Sequence, residues 1–351
     1  MRIKRIKNLI YITSSIMVLG LALLSFDSAP MTTSGLPAKP TTEPTRKPGH
    51  TATPTPLPSE TPTPSPSPTP TPSLAQLNAA VPIQPATDET GAAITEQITS
   101  YLTTYYQNDD LHVKEITDIT CYYKKGISLA DYIVYATYTI HYEGSNVPIP
   151  AIGEYCISIN EDASVTVIEH PEEPELKEAL YLSRASESVS TLYIQETIRR
   201  YMYARLACDE VLLSDLVTNS ASININDVAT KTQYIEEYRN FEYLIRTCPE
   251  TVTEFDHIAY VTYDVKIVNI STLAPGMDEF LVALDEENYP KIFFGTTSTE
   301  TDNFRIASME MEDFRTRYND VYNRLADAMI LDPDLMEFMN RIDNATGSSG
   351  E

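Results

Sequence analysis

The chain has 351 residues, with 25 Lys and Arg against 50 Asp and Glu, a formal net charge of −25 and no tryptophan. Residues 1–75 hold seven basic and three acidic side chains, which leaves 18 and 47, a net charge of −29, for the remainder. An acidic body of that size repels nucleic acid and anionic lipid surfaces, and excludes both as expected partners of the C-terminal part.

Met1-Arg-Ile-Lys-Arg-Ile-Lys7 sets four cations ahead of an uncharged run from Asn8 to Phe26. The apolar part, Leu9 to Phe26, would make about 27 Å of helix, enough to cross a bilayer core with little tilt. The pattern predicts a cytoplasmic stub over 1–7 and a transmembrane signal anchor over 8–26, with the membrane as a partner and everything after Asp27 outside. A cleaved signal and a secreted protein form the alternative. Against it, Asp27-Ser28-Ala29 is followed by Pro30, a poor cleavage site.

Residues 27–90 read as a disordered stalk. Leu36 to Ser73 is dominated by Pro, Thr and Ser, ending in Thr61-Pro-Thr-Pro-Ser-Pro-Ser-Pro-Thr-Pro-Thr-Pro72. Such a run has nothing to bury and few backbone donors, so it is expected to be extended and semi-rigid, at about 3.1 Å per residue. A Pro-rich recognition segment is the competing reading, and sugars on the threonines stay open.

The first folded module is expected over 91–170. Ile94, Ile98, Tyr101, Leu102 and Tyr105 share one stripe of a helix from Ile94 to Gln107, which Asn108-Asp109-Asp110 then breaks. Strand patterns follow at Val113–Tyr123, Tyr132–Tyr142, Glu154–Ile159 and Val165–Ile168. After a linker and helix start over 171–190, a second module over 191–300 repeats the order: a helix at Thr191–Cys208, an added segment at Leu212–Glu237, and strands at Phe241–Thr247, Ile258–Val268, Glu279–Leu284 and Lys291–Phe294. C-terminal helices are expected over 301–343, one across Phe304–Ile330 and a shorter one capped by Asp332-Pro333, before a disordered tail at 344–351.

The two modules match each other. Tyr132–Ile168 aligns with His257–Phe293 without a gap at an offset of 125, with seven identities in 37 positions. Unrelated segments of ordinary composition would share roughly two or three. The identical pairs include Tyr135/Tyr260, Thr137/Thr262, Tyr138/Tyr263, Pro150/Pro275 and Glu154/Glu279, and a helical window matches at an offset of 100 through Ile94/Ile194, Ile98/Ile198 and Tyr101/Tyr201. Helices before an antiparallel meander, taken twice, make the fold class α+β: two tandem helix-plus-curved-sheet domains.

Alternation along the matched strand separates two faces. Val134, Ala136, Tyr138 and Ile140, with their partners Ala259, Val261, Tyr263 and Val265, belong under a helix, which turns Tyr138 and Tyr263 inward. Tyr135, Thr137, Tyr260 and Thr262 belong to the outer faces, and are predicted to pack on one another as an intrachain pseudo-dimer; two independent beads are the alternative. Pro150 and Pro275-Gly276 read as turns, the latter of type II, with Glu154 and Glu279 beside them accepting turn amides. The four cysteines, Cys121, Cys156, Cys208 and Cys248, are expected unpaired, with pairing inside each module left open. No metal spacing, phosphate loop or nucleophile elbow is present, so no metal, no cofactor and no catalytic residue is assigned.

Asn269-Ile-Ser-Thr-Leu-Ala-Pro-Gly-Met277 leading into Asp278-Glu-Phe-Leu-Val-Ala-Leu-Asp-Glu286, with Tyr234-Ile-Glu-Glu-Tyr-Arg-Asn240 and Tyr260-Val-Thr-Tyr-Asp-Val-Lys266, resembles exported domains of Gram-positive, clostridia-like bacteria. These are similar to the nuclear-transport-factor-2-like superfamily, the cone-shaped, cystatin-like α+β fold shared with ketosteroid isomerase. The resemblance implies a bent sheet around a pocket mouth, with the inward-facing Tyr138 and Tyr263 as the ligand-pocket candidates, in a superfamily where some members are isomerases or dehydratases and others only bind. With no carboxylate placed inside the cone, the expectation is a non-catalytic extracytoplasmic head that binds an envelope ligand or partner, senses or scaffolds. A small-molecule enzyme and a purely structural stalked protein are the alternatives.

Overall fold

The computed structural model describes residues 71–107, 111–162 and 164–347, with side chains to residue 342. The expected stub, membrane span, most of the stalk, the Asn108-Asp109-Asp110 break and residues 348–351 lie outside the described residues. Among the described residues no helix is long and apolar enough to cross a membrane.

Order begins earlier than composition suggests, because the last part of the expected stalk is tied into the fold. Ser73 caps helix α1 (Leu74–Ala79) through a reciprocal box with Gln76. The Asn78 carbonyl accepts from Lys124 Nζ at 2.9 Å, and the Asn78 amide donates to the Lys125 carbonyl at 2.7 Å. The short strand β1 (Gln84–Pro85) then pairs with the edge of the first sheet. Asp88 caps helix α2 (Glu89–Tyr106) by accepting from the Gly91 amide, and also from the Tyr123 hydroxyl.

The fold is α+β with two antiparallel sheets. The first has the order β1-β2-β3-β4-β5, with β2 Val113–Lys125, β3 Tyr132–Tyr142, β4 Ile149–Ile159 and β5 Val165–Ile168. The second has the order β6-β7-β8-β9, with β6 Ile235–Thr247, β7 His257–Ile267, β8 Ala274–Leu284 and β9 Pro290–Ile292. Their registers superimpose: Tyr138 faces Ala151 as Tyr263 faces Gly276, and Tyr135 faces Glu154 as Tyr260 faces Glu279. Even the irregularities match. A shift in β2 between Thr117 and Thr120 answers one in β6 between Arg239 and Glu242, each carrying one left-handed residue, Asp118 (φ 55°) or Asn240 (φ 54°).

Helices cover both faces of both sheets. Ile94, Ile98 and Leu102 of α2 pack on Val134, Ala136, Tyr138 and Ile140. The other face of the first sheet, through Ile133, Tyr135 and Cys156, packs on α3 (Pro174–Arg184) and the start of α4 (Glu187–Ala207), through Leu176, Leu180, Val189 and Leu192. Further along, α4 lays Ile194, Ile198, Tyr201 and Met202 on Ala259, Val261, Tyr263 and Val265 of the second sheet. This one helix therefore serves both modules, and it is apolar on two sides as a doubly covered helix must be. Between α4 and β6 the chain adds α5 (Glu210–Leu216), a 3₁₀ turn at Ser220–Ser222 and α6 (Ile225–Thr232).

After the second sheet come α7 (Thr299–Glu310), α8 (Glu312–Leu331) and α9 (Pro333–Gly347). The single helix expected over Phe304–Ile330 is broken at Met311, whose ψ of 147° is extended, and α9 carries helix through the first residues of the expected tail. Helices α3 and α7 start at 174 and 299, and α4 and α8 at 187 and 312, again 125 apart. The duplicated unit thus runs on past the sheet into two covering helices, with α4 acting both as the second covering helix of module one and as the first helix of module two.

Candidate functional site

The outer faces of the two sheets pack on helices and not on each other. Tyr135 and Thr137 do not meet Tyr260 and Thr262, since helices cover each face separately. The Tyr135 ring stands edge-on to Tyr193 of α4 at 6.2 Å, while Tyr260 packs edge-on against Phe314 of α8 at 4.6 Å. Each outer face also carries a buried carboxylate, Glu154 or Asp264, that pairs with an arginine of its covering helix, Arg184 of α3 or Arg324 of α8.

Glu154 and Glu279 lie mid-strand and accept no turn amide. Glu154 takes a two-pronged bond from the Arg184 guanidinium of α3, plus the Tyr193 hydroxyl at 3.2 Å. Glu279 takes Arg305 Nε of α7 at 2.7 Å. Both carboxylates are thus structural anchors for the covering helices. Arg184 also stacks over the Tyr289 ring at 4.3 Å and donates to the Glu287 carbonyl, so this anchor joins module one to the β8–β9 turn of module two.

Pro150 and Pro275 sit in strands, not turns. β5 pairs with β4 only over Cys156–Ile159, and β9 with β8 only over Val282–Leu284, so neither proline faces a partner that needs its missing N–H. Gly276 is required by space, not by φ: a Cβ there would sit 2.8 Å from Cε2 of the Tyr263 ring opposite.

Inside module two the sequence reading missed a carboxylate. Asp278 shares the inward parity of Gly276, Phe280 and Val282, and accepts the Tyr263 hydroxyl at 2.6 Å. Asp278 is 4% exposed and Tyr263 2%, with Arg205 of α4 at 1% beside them. Burial lifts the Asp278 carboxyl to about 7 and holds the Tyr263 phenol well above its usual range. Asp278 Oδ1, Arg205 Nε and Nη2 and the Tyr201 hydroxyl make no hydrogen bond. Tyr238 stands perpendicular to Tyr263 at 5.4 Å and closes the cluster.

Module one lacks this arrangement, because Gly153 stands where module two has Asp278. The Tyr155 ring folds back over that glycine, and the Tyr106 and Tyr138 hydroxyls meet at 3.2 Å. Tyr138 and Tyr263 therefore occupy equivalent inward positions, yet both are packed among tyrosines and neither lines the cleft at the α3–α4 junction. Cys121 and Cys156 lie on opposite faces of the first sheet and are free, as are Cys208 and Cys248.

A cleft of about 660 Å³ opens where the α3–α4 junction meets the β6–β7 end of the second sheet. Ala185, Glu187, Ser190 and Thr191 form one wall; Ile245, Thr247, Cys248, Glu250, Val252, Phe255, Asp256 and His257 form the other. Burial lowers the His257 pKa, so its ring is neutral near neutral pH, and pushes the Cys248 thiol up to about 12, far from a reactive thiolate. Among the described residues no three His, Cys, Asp or Glu side chains are placed to hold a metal ion.

The fold and these sites define a class: a tandem α+β protein whose two sheets share a central helix. No protein-family model, no curated protein and no solved structure matches the chain.

Proposed function

We propose that the chain is a membrane-anchored extracytoplasmic protein whose stalked head binds a ligand or partner without transforming it, and that its two modules belong to the nuclear-transport-factor-2-like cone fold. The N-terminal cations, the apolar run after them and the Pro/Thr tract support the anchor and stalk. One observation carries the non-catalytic reading: the inward-facing pocket candidates, Tyr138 and Tyr263, are buried in the cores of their modules, while the open cleft lies elsewhere and holds a neutral His257 and an unactivated Cys248. Binding pockets for small molecules typically have this cleft's volume.

An isomerase or dehydratase is the second reading, favoured by the Asp278–Tyr263 pair, a carboxyl titrating near neutrality beside a proton donor. Against it, both side chains are buried in the core of module two. Protease treatment of intact cells tests the proposal: the head is expected to be cut away while a cytoplasmic control survives, and the N-terminal fragment to stay with membranes through an alkaline wash. Full protection of the head until lysis would overturn it.

A further inference from the structure

We infer that the open edge of β6 is a strand acceptor: an extended segment of a partner protein, with small residues around a proline and basic flanks, adds to the second sheet in the place that β1 takes in the first. The inference deepens the reading of the head as a binding module and rests on it. In module one this edge is filled from within the chain. Residues 84–86 lie along β2, with Gln84 opposite Tyr123 and Pro85 opposite Tyr122, and the Ala86 amide donates to the Cys121 carbonyl at 2.9 Å. A residue of an antiparallel ladder turns its N–H and C=O to the same side, so Cys121 and Tyr123 present theirs to β1. The Asn78 amide of α1 takes the next outward carbonyl, that of Lys125, at 2.7 Å.

Module two has no such strand. The registers of the two sheets match, so Tyr243, Ile245 and Thr247 of β6 are the counterparts of Cys121, Tyr123 and Lys125. β6 is the outermost strand of its sheet, and among the described residues no other segment hydrogen-bonds to the outward backbone groups of those three. The cause lies in the shared helix: the chain ahead of α4 is α3, which covers the outer face of the first sheet instead. Ala86 fits so closely on α2 that a Cβ on Gly91 would lie 2.5 Å from its backbone. The counterpart of Gly91 at the offset of 100 is Thr191, and Thr191 and Ser190 line the cleft of about 660 Å³ across from Ile245 and Thr247. The cleft therefore stands in module two where β1 stands in module one.

The occupant's chemistry follows from that comparison. Residues opposite Ile245 and Tyr243 turn their N–H groups to β6 and their side chains toward the first turn of α4, where module one carries Gln84 and Ala86. The residue between them faces away from the ladder and needs no N–H. Pro85 holds that position in module one, and an edge strand tolerates proline there. Glu187, Glu250 and Asp256 line the cleft with no Lys or Arg among its lining residues, and residues 76–351 carry a net charge of −29, so basic flanks complement the site. Main-chain hydrogen bonds to the edge supply affinity, and the cleft and its charge supply specificity.

The test is fluorescence anisotropy of the full chain in detergent with a labelled peptide that sets module one's own strand between lysines, Lys-Val-Pro-Ile-Gln-Pro-Ala-Lys. It is expected to bind. N-methylation of its Gln and Ala, which removes the two ladder donors, should weaken binding about tenfold or more, whereas N-methylation of its Ile, whose nitrogen points away from β6, should leave binding unchanged. Glu in place of both lysines should weaken it severalfold. Ala185→Trp, filling the cleft from an exposed position, should abolish binding with an unchanged urea midpoint. Equal binding of the parent and the Gln/Ala-methylated peptide, still blocked by Ala185→Trp, would overturn strand addition and leave the binding reading standing. Binding that survives Ala185→Trp would place the peptide elsewhere and overturn the assignment of this edge. No binding of the parent peptide would overturn the inference, while the protease test of the anchored head stands apart from it. Self-association of the full chain that the peptide reverses would give the edge to a second copy and overturn the partner assignment.

Discussion

The carboxyl of Asp278 titrates inside the core, and that gives folding a pH signature. In the native chain it releases its proton near pH 7, against 3.8 for an ordinary aspartate. Between those values the folded protein holds a proton that the unfolded chain has lost, so stability falls as pH rises through this window. The contribution is fully present below about pH 3.8 and gone above about pH 7. The shift of about three units corresponds to about 4 kcal/mol in all, or about 1.4 kcal/mol per pH unit. Asp278→Asn removes the titration while keeping an oxygen for the Tyr263 hydroxyl. Urea unfolding of both proteins in steps from pH 4 to pH 8 isolates the effect. Glu196, which burial also lifts to about 7, and Glu279, raised by the same cause, titrate in both proteins and cancel in the difference. The difference between wild type and variant should fall by about 4 kcal/mol and then flatten. Parallel curves would mean that Asp278 ionises as it does in water, and the buried cluster would lose its physical basis.

Three further outcomes follow from packing and pairing. Gly276→Ala should destabilise by about 1–3 kcal/mol through its clash with the Tyr263 ring, and the loss should shrink in a Tyr263→Leu background when urea midpoints are compared. Glu154→Gln should cost about 3 kcal/mol, because Arg184 is left nearly buried without its anion; Glu242→Gln, at a side chain 72% exposed and paired with Arg317, should cost less than about 1 kcal/mol in the same assay. Tyr135→Ala should cost about 3–5 kcal/mol in chemical unfolding, an effect of core packing against Tyr193.

Much of the sheet architecture is legible in the sequence, and the reason is period two. The alternation of Val134, Ala136, Tyr138 and Ile140 set the covered face, and the offset of 125 reproduced the ladder pair by pair. The same alternation also places Asp278 inward with Phe280, but Gly153 at the equivalent position of module one hides it from any argument by shared residues. The dual role of α4 was masked for a similar reason. Its match to α2 at an offset of 100 is strong, whereas its match to α8 rests on scattered identities such as Glu187/Glu312, Tyr193/Tyr318 and Arg199/Arg324. Pro275-Gly276 is a turn dipeptide by local preference, and here the unpaired edge of β8 and the Tyr263 ring override that preference. The ordered segment before Asp88 was invisible because its anchor, buried Lys124, lies far along the chain.

Sharing α4 makes the two copies inseparable, and native-state amide exchange of the full chain under rising denaturant examines that most directly. Amides of β3 and β7 should open with the same free energy, to within about 1 kcal/mol, because losing α4 uncovers both sheets at once. Exchange of β3 through its own opening, with β7 still protected, would show two separately stable beads and contradict the shared core.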